Sequence, residues 1–455
     1  MSEARAFLDG RVVLHPGDCR EVLRGLADAS IDSVVTDPPY ALVSIGKRFG
    51  KPGAAPTRDG DVYSRASAGF MGQQWDTGET AFSPAFWAEV LRVLKPGGHV
   101  VAFSGTRTYH RMVCAIEDAG FEIRDQLAWI YGSGFPKSHD VSKAIDKHLG
   151  AERPVVGVER LSNDISGGAL LDAAHDGSRP GFERNITAAA RQWEGWGTAC
   201  KPAWEPIVLA RKLLSGTVAE TVLAHGTGAL NIDGCRVHAD DAQGGAYTIK
   251  RFKPGATLDK EGGTWKPEGD GPLYQGEMKP GRWPANIVHD GSDEVVSAFP
   301  DAAGQQGVVT GDEPSSPFAN VYGDMPSRAG GAVPRGDSGS AARFFYSAKA
   351  DANDRIGSKH PTVKPVDLMQ WLCRLVTPPG GTVLDPFAGT GTTGEAAFRE
   401  GFRAVLVERE EAFQADIARR MELALAGPTT RKVASVKARA REEAPLGGLF
   451  AEAAE

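Results

Sequence analysis

Apolar and polar positions follow two alternating periods over the first 130 residues and again after residue 360, and neither period persists between them. Strand-length apolar runs at 11–15, Ile31–Thr36, 99–104 and 121–131 are separated by helix-spaced stretches at 20–26, 84–94 and 107–119. The second block reads as a helix at Val366–Val376, a strand at 382–384, a helix at 392–400, a strand at 404–407 and a helix at 412–426. Strand–helix alternation of this kind predicts a parallel sheet with crossover helices. Neither block has enough strands to close a sheet alone. The pattern therefore predicts one α/β domain assembled from both ends of the chain.

The stretches between break the pattern. Residues 41–80 are rich in Gly, Ser and Arg and read as a loop over the site. Residues 132–199 are loop-like apart from a helical piece at 141–149, and 204–210 returns as a strand. From 214 to 342 Gly, Pro and Trp are dense and no crossover pattern shows. The chain after 427 is polar and is expected to fray. The expected organisation is thus 1–213, 214–342, 343–426 and a tail at 427–455.

Composition narrows the class. With 455 residues, 41% hydrophobic and 24% charged, the chain supports a large core. No apolar run approaches the roughly 20 residues of a membrane span, and the first residues lack a signal-peptide core. Five scattered cysteines argue against a disulfide framework; Cys235 and His238 lack the second pair a zinc site needs. No metal and no membrane contact are expected, and the expected compartment is cytoplasmic. The net charge of −7 argues against a non-specific DNA coat, but a cleft can be basic on an acidic protein.

Two loops carry the chemistry. Asp37-Pro38-Pro39-Tyr40 and Asp385-Pro386-Phe387-Ala388-Gly389-Thr390-Gly391 each follow a short apolar run. Each is therefore placed past the carboxyl end of a strand, where open α/β sheets bind ligands. The first loop offers a carboxylate, a carbonyl held by prolines and an aromatic ring. The second continues into Gly389-Thr390-Gly391-Thr392-Thr393-Gly394, a G-x-G-x-x-G match, with Glu408 about 20 residues on at the end of the next strand. A carboxylate there can accept from two ribose hydroxyls. These features alone leave NAD and S-adenosylmethionine both open. A NAD site is expected to continue as βαβαβ after its glycines, whereas here the other strands precede them.

These residues resemble the DNA amino-methyltransferases that use S-adenosylmethionine. The Asp-Pro-Pro-Tyr tetrad is similar to their catalytic motif and Phe387-Ala388-Gly389-Thr390-Gly391 to their cofactor motif; catalytic loop first resembles the permuted β class. His360-Pro361-Thr362-Val363-Lys364-Pro365, Gly17-Asp18-Cys19, 129–138 (WIYGSGFPKS) and Trp204-Glu205-Pro206 are similar to further family segments. The resemblance covers 1–140, 198–213 and 343–426, and implies a Rossmann-like methyltransferase sheet with 214–342 inserted for target recognition. It implies adenine N6 methylation of flipped-out bases in double-stranded DNA; cytosine N4 methylation is the close alternative and a NAD-dependent oxidoreductase the different-class one. It leaves room for a homodimer and for a cognate restriction endonuclease encoded separately, in a bacterial or phage setting.

The implied roles follow the motifs. Asp37 and the Pro38 carbonyl would accept the amino hydrogens of the base, Pro39 would fix the backbone, and Tyr40 would stack on the base. Asp18 would bond the cofactor adenine or cap a helix. Thr362 and Lys364 would meet the cofactor's amino-acid end or cap the next helix. Asp385, Phe387, Gly389, Gly391, Thr392 and Glu408 would form the cofactor loop and its ribose acceptor, with Phe387 also readable as a core residue. In the insert, Lys250, Arg251, Lys253, Trp265, Arg282 and Trp283 have the mixed basic and aromatic character of a DNA-reading surface, though acidic residues are interleaved. Arg431, Lys432, Lys437, Arg439 and Arg441 in the tail could touch phosphates.

Overall fold

A computed structural model describes residues 3–40, 79–134, 138–151, 155–160, 178–182, 187–239, 245–250, 273–302, 338–348, 352–358, 360 and 362–443. Strands are β1 Arg5–Phe7, β2 Val12–Pro16, β3 Ile31–Thr36, β4 Leu94–Phe103, β5 Glu122–Ile130, β6 Val155–Arg160 and β7 Ser178–Phe182. They continue as β8 Trp204–Arg211, β9 Gly245–Lys250, β10 Leu273–Met278, β11 Ile287–His289, β12 Tyr346–Ser347, β13 Thr382–Asp385 and β14 Arg403–Glu408. Ten of them form one sheet in the order β1-β2-β14-β13-β3-β4-β8-β5-β11-β12. The expected α/β sheet from both chain ends is present: β13 and β14, from the far end, lie between β2 and β3.

Direction decides where a ligand site can form. β2, β14, β13, β3 and β4 are mutually parallel, so their carboxyl ends share one edge of the sheet. β8 runs antiparallel to β4, pairing Ile207 with Phe103, which brings the start of β8 to that same edge. β3 is buried along its whole length, as a central parallel strand covered on both faces must be.

The helices that cover the sheet are set by local sequence. Ser83 caps helix Pro84–Val93, Pro84 opens it without losing a needed donor, and Phe86, Trp87, Val90 and Val93 are buried. Helix Val366–Val376 buries eight of its eleven residues, including Trp371. Gly394 lets helix Thr392–Arg399 approach the sheet, since a Cβ there would sit 2.7 Å from Leu406. A core cluster joins Leu384 of β13 and Val407 of β14 to Val34 of β3, Val100 of β4 and the helix residues Trp87 and Ile116.

Three differences from the sequence pattern have physical reasons. β1 and β12 are two or three residues long, too short for any periodicity to show. β11 comes from within 214–342 yet pairs into the main sheet through His289 and Val288. The tail does not fray at 427: residues Pro428–Glu443 form a helix. It docks through Arg431, which is 5% exposed and bonds the buried Glu395 carboxylate at 2.6 Å. A polar anchor of this kind leaves no apolar stripe to read, and it removes Arg431 from any contact with phosphate.

The chain divides into two compact units, Met1–Trp129 with Glu205–Glu455, and Ile130–Trp204. In the second, Asp140 caps helix Val141–His148, β6 and β7 form an antiparallel hairpin, and Asp146 accepts from the Thr187 hydroxyl at 2.7 Å. Within 214–342, β9 and β10 pair antiparallel with Lys250 opposite Leu273. Among the described residues no helix is long and apolar enough to cross a membrane.

Leu384 lies where the far end of the chain docks on the near end and is fully buried. Leu384→Ala is expected to lower unfolding free energy by about 2–5 kcal/mol. Leu425→Ala, at a side chain 78% exposed, should stay within about 0.5 kcal/mol of the wild type. Equal effects of the two in urea denaturation would contradict this placement of the core.

Candidate active site

The tetrad and the glycine loop meet at the shared carboxyl edge. Asp37 follows β3 directly, and Asp385 is the last residue of the neighbouring β13. The Thr36 hydroxyl donates to Asp385 Oδ1 at 2.6 Å, tying the two loops together at their roots. Asp385 also accepts from Phe387 N at 3.1 Å and from the Thr393 hydroxyl at 2.5 Å. It is 2% exposed, so its place is under the loop, holding it. Burial pushes the Asp385 carboxyl up to about 6, against the bonds from Thr36, Thr393 and Phe387, which pull it down.

Four side chains converge around Asp37. Lys364 Nζ, in a side chain 8% exposed, donates to Asp37 Oδ2 at 2.6 Å and to the Tyr40 hydroxyl oxygen at 3.1 Å. It stands 3.2 Å from Glu205 Oε2, and the Tyr40 hydroxyl donates to that same oxygen at 2.8 Å. The ammonium also lies 4.8 Å from the Phe103 ring centroid and 5.3 Å from that of Tyr40. Burial works to lower the Lys364 pKa, but the Asp37 and Glu205 carboxylates outweigh it and hold it above the ordinary lysine range. Tyr40 is pushed well above the usual tyrosine value by burial and by the same two carboxylates. The Thr108 hydroxyl holds the Tyr40 carbonyl at 2.8 Å. Asp37 Oδ1, by contrast, is buried and has no hydrogen-bond partner among the described residues.

The cofactor-loop candidates gather at the ends of β2, β13 and β14. Glu408 closes β14, and its backbone carbonyl accepts from Gly17 N at 3.0 Å. Its carboxylate accepts from Gly389 N and Glu410 N, each at 2.8 Å. Burial pushes it up to about 7, with those backbone N–H bonds pulling the other way. Gly389 and Gly391 have φ of +51° and +78°, a region that disfavours side chains. A Cβ on Gly391 would also come within 3.0 Å of Ile417, whereas one on Gly389 would meet His360 at an ordinary 3.4 Å, so Gly389 is demanded by its backbone and Gly391 by backbone and packing together. Phe387 packs on Phe86 with ring centroids 5.2 Å apart.

Other candidates have local duties. Asp18 caps helix Cys19–Gly25 through Arg20 N at 2.8 Å and pairs with the Arg20 guanidinium at 2.7 Å. Thr362 is exposed, and its carbonyl lies 2.7 Å from His360 Nδ1. The Thr392 hydroxyl is 3.4 Å from that of Thr390.

Beneath the loop, fully buried Arg420 donates to the Thr390 carbonyl at 2.7 Å and to Glu395 at 2.9 Å. Glu395 also pairs with Arg399 and Arg431. Neither this network nor Thr108 carries a signal in the sequence. Glu205 stands in a segment similar to the family's, with no role attached to it there. It had a signal of its own: a carboxylate heading a strand that is otherwise apolar.

The DNA-reading candidates divide. Arg251, Lys253 and Trp265 lie outside the described residues, as does 41–78, and Lys250 is described only as the last residue of β9. The Arg282 guanidinium lies 4.8 Å from the Phe344 ring centroid, and Trp283 is 64% exposed with Arg236 5.5 Å from its ring centroid.

The sequence profile of a family described as DNA methylase matches residues 31–152 and 262–419, more than half of the chain. The chain belongs to the DNA methylase family. The match includes the tetrad, Lys364, the glycine loop and Glu408. Type II methyltransferase M.HindIII of Haemophilus influenzae is 25% identical over 146 residues, covering 31% of this chain and 36% of that enzyme. The shared stretch is thus about a third of the curated relative's length. Among solved structures, the Thermus thermophilus protein TTHA0409 complexed with S-adenosyl-L-methionine is 17% identical, covers 91% of this chain and 94% of its own, and has a TM-score of 0.38. The cytosine-N4-specific PvuII DNA methyltransferase is 13% identical, covers 94% and 93%, and scores 0.40. Scores this low leave the fold to the strand order itself.

Asp385 gives this DNA methylase family member a pH signature. An acid raised from 3.8 to about 6 holds its proton more tightly when folded. The stability it contributes is complete below 3.8 and is lost as pH rises through about 6. Asp385→Asn does not titrate, so its stability relative to wild type should climb across that window and level off above it. A difference independent of pH in denaturant titrations would contradict the buried, proton-retaining carboxyl.

Proposed function

We propose that this chain is a site-specific DNA methyltransferase that moves a methyl group from S-adenosylmethionine to the exocyclic N6 of adenine in double-stranded DNA. The observation that carries the reading is Asp37 Oδ1, a buried acceptor without a partner among the described residues, on a carboxylate whose other oxygen is fixed by Lys364. An unpaired buried acceptor costs about 1–3 kcal/mol, so a site that keeps one is prepared for a donor. The amino group of a base is such a donor.

The residues present suit S-adenosylmethionine by the chemistry of their donor set. Glu408, at the end of β14 beside Gly17, is a carboxyl suited to the ribose hydroxyls, and the 387–391 loop stands next to it with Phe387 as an apolar wall. The cofactor supplies an electrophilic methyl group on a sulfonium. Asp385 and Arg420 hold the loop from below through Thr393, Phe387 N and the Thr390 carbonyl.

Asp37 does the rest of the chemistry this chain provides. An amino nitrogen conjugated to a base ring is a weak nucleophile, because its lone pair is delocalised. An acceptor at Asp37 Oδ1, with the Pro38 carbonyl as the second, orients the nitrogen and stabilises the positive charge that develops on it. The base has to leave the duplex to reach the site, and Tyr40 offers a stacking face. Trp283 and Arg282, with Lys250, Arg251, Lys253 and Trp265, are the proposed DNA contacts within the 214–342 target-recognition region. Asp at the first tetrad position favours adenine; cytosine N4 methylation would use the same groups.

Nucleoside mass spectrometry of duplex DNA after incubation with the protein and labelled S-adenosylmethionine should reveal N6-methyladenine. N4-methylcytosine would overturn the choice of base, and no methylated nucleoside would overturn the activity. Asp37→Ala should slow transfer by about 100-fold or more while cofactor affinity by calorimetry changes little. Substantial residual turnover in that variant would remove Asp37 from its assigned role.

A further inference from the structure

Among the described residues, the charge count around Asp37 is uneven. A single ammonium, Lys364 Nζ, serves two carboxylates, Asp37 at 2.6 Å and Glu205 at 3.2 Å. Glu205 does not share the segment of either partner: it stands at the start of β8 and reaches the cluster because β8 is antiparallel to β4. Its Oε2 also takes the Tyr40 hydroxyl at 2.8 Å. A 1:1 pair of Lys364 and Asp37 would already be neutral, so fixing Asp37 does not by itself require a second carboxylate.

Methyl transfer gives the second carboxylate a purpose. The amino nitrogen gains the methyl carbon as the sulfonium S–C bond breaks, leaving a neutral thioether. The nitrogen then carries a positive charge and one proton too many. The buried, unpartnered Asp37 Oδ1 is the acceptor placed for that proton. Once it is taken, Asp37 is neutral and Lys364 loses the partner at 2.6 Å. A buried cation stripped of its carboxylate is strongly disfavoured. Glu205 prevents that state.

We infer that Glu205 is a positioning residue for methyl transfer, the counter-charge that keeps Lys364 paired while Asp37 Oδ1 accepts the proton from the methylated amino group. The inference rests on the amino-methylation reading above. The other groups facing Asp37 are unsuited to the task. Lys364 is held protonated by the two carboxylates, which outweigh its burial, and Tyr40 keeps its proton because burial and the same carboxylates raise it. Asp385, on β13, is raised by burial and committed to Thr36, Thr393 and Phe387 N.

The test compares wild type, Glu205→Gln, Glu205→Asp, Lys364→Met and the double variant Glu205→Gln with Lys364→Met. Single-turnover methyl transfer is read beside S-adenosylmethionine affinity by calorimetry, duplex affinity by fluorescence anisotropy, and thermal unfolding. Glu205→Gln should slow transfer by about 100-fold with both affinities nearly unchanged. Glu205→Asp should recover most of the rate. Lys364→Met should itself be slow, because it frees Asp37 Oδ2, and adding Glu205→Gln to it should slow transfer little further, because the cation that needed Glu205 is gone. Wild-type speed in Glu205→Gln overturns the inference, as does a loss of rate that follows a loss of affinity or that multiplies when Lys364 is also removed. A wild type that transfers no methyl group overturns the amino-methylation reading and this inference together.

Discussion

One ammonium group, Lys364 Nζ, fixes where three distant parts of the chain must meet. It binds the loop after β3, the start of β8 and the tyrosine that ends the tetrad, all within hydrogen-bond or ion-pair reach. Taking charges out of water costs several kcal/mol per ion, so a buried pair is weak evidence for stability. Its value here is positional. One carboxylate oxygen of Asp37 is held, the other is left open, and the balance among the described residues of two carboxylates to one cation favours a positive charge developing on a bound amino nitrogen. The sheet makes this possible by lining up the carboxyl ends of β3, β4 and β13 and by reversing β8 onto the same edge.

A second charged centre supports the glycine loop from below. Glu395 is fully buried and pairs with Arg399, Arg420 and Arg431. Arg420 carries the connection upward to the Thr390 carbonyl, and Arg431 carries it outward to the helix Pro428–Glu443. The carboxyl-terminal helix is therefore linked through two salt bridges to the loop between Gly389 and Gly391. The glycines themselves are required by positive φ, and Gly391 also by the closeness of Ile417, which are reasons independent of any ligand.

Much of this was legible in the sequence because it rests on local pattern. β3 and helix Val366–Val376 are marked by their apolar runs, and helix Pro84–Val93 by its apolar spacing and its Ser83-Pro84 start. The tetrad and the glycine loop are contiguous, so their placement after strands could be read directly. What could not be read depends on pairing across distance. Nothing in the sequence around Glu205 says that β8 reverses against β4, and nothing around Arg431 says that it finds Glu395. Asp18 illustrates the converse: its sequence context allows a cofactor bond or a helix cap, and the side chain caps helix Cys19–Gly25 while also pairing with Arg20, which the context does not announce. Lys364 reads in sequence as a residue of the cofactor's amino-acid end or as a cap; the contacts it makes are to Asp37 and Tyr40 of the tetrad, which no local pattern announces.

On the proposed function, Asp37 Oδ1 is kept open for the amino group of a target base while Lys364 and Glu205 hold the rest of the cluster. A crystal structure of the protein with a non-reactive cofactor analogue and a DNA duplex tests it most directly. The expected result is an extrahelical base whose exocyclic nitrogen lies within about 3.2 Å of Asp37 Oδ1, with the contacts from Lys364 to Asp37 Oδ2 and Glu205 retained. A base whose amino group is bound elsewhere, with Asp37 Oδ1 turned to another protein donor, would contradict it.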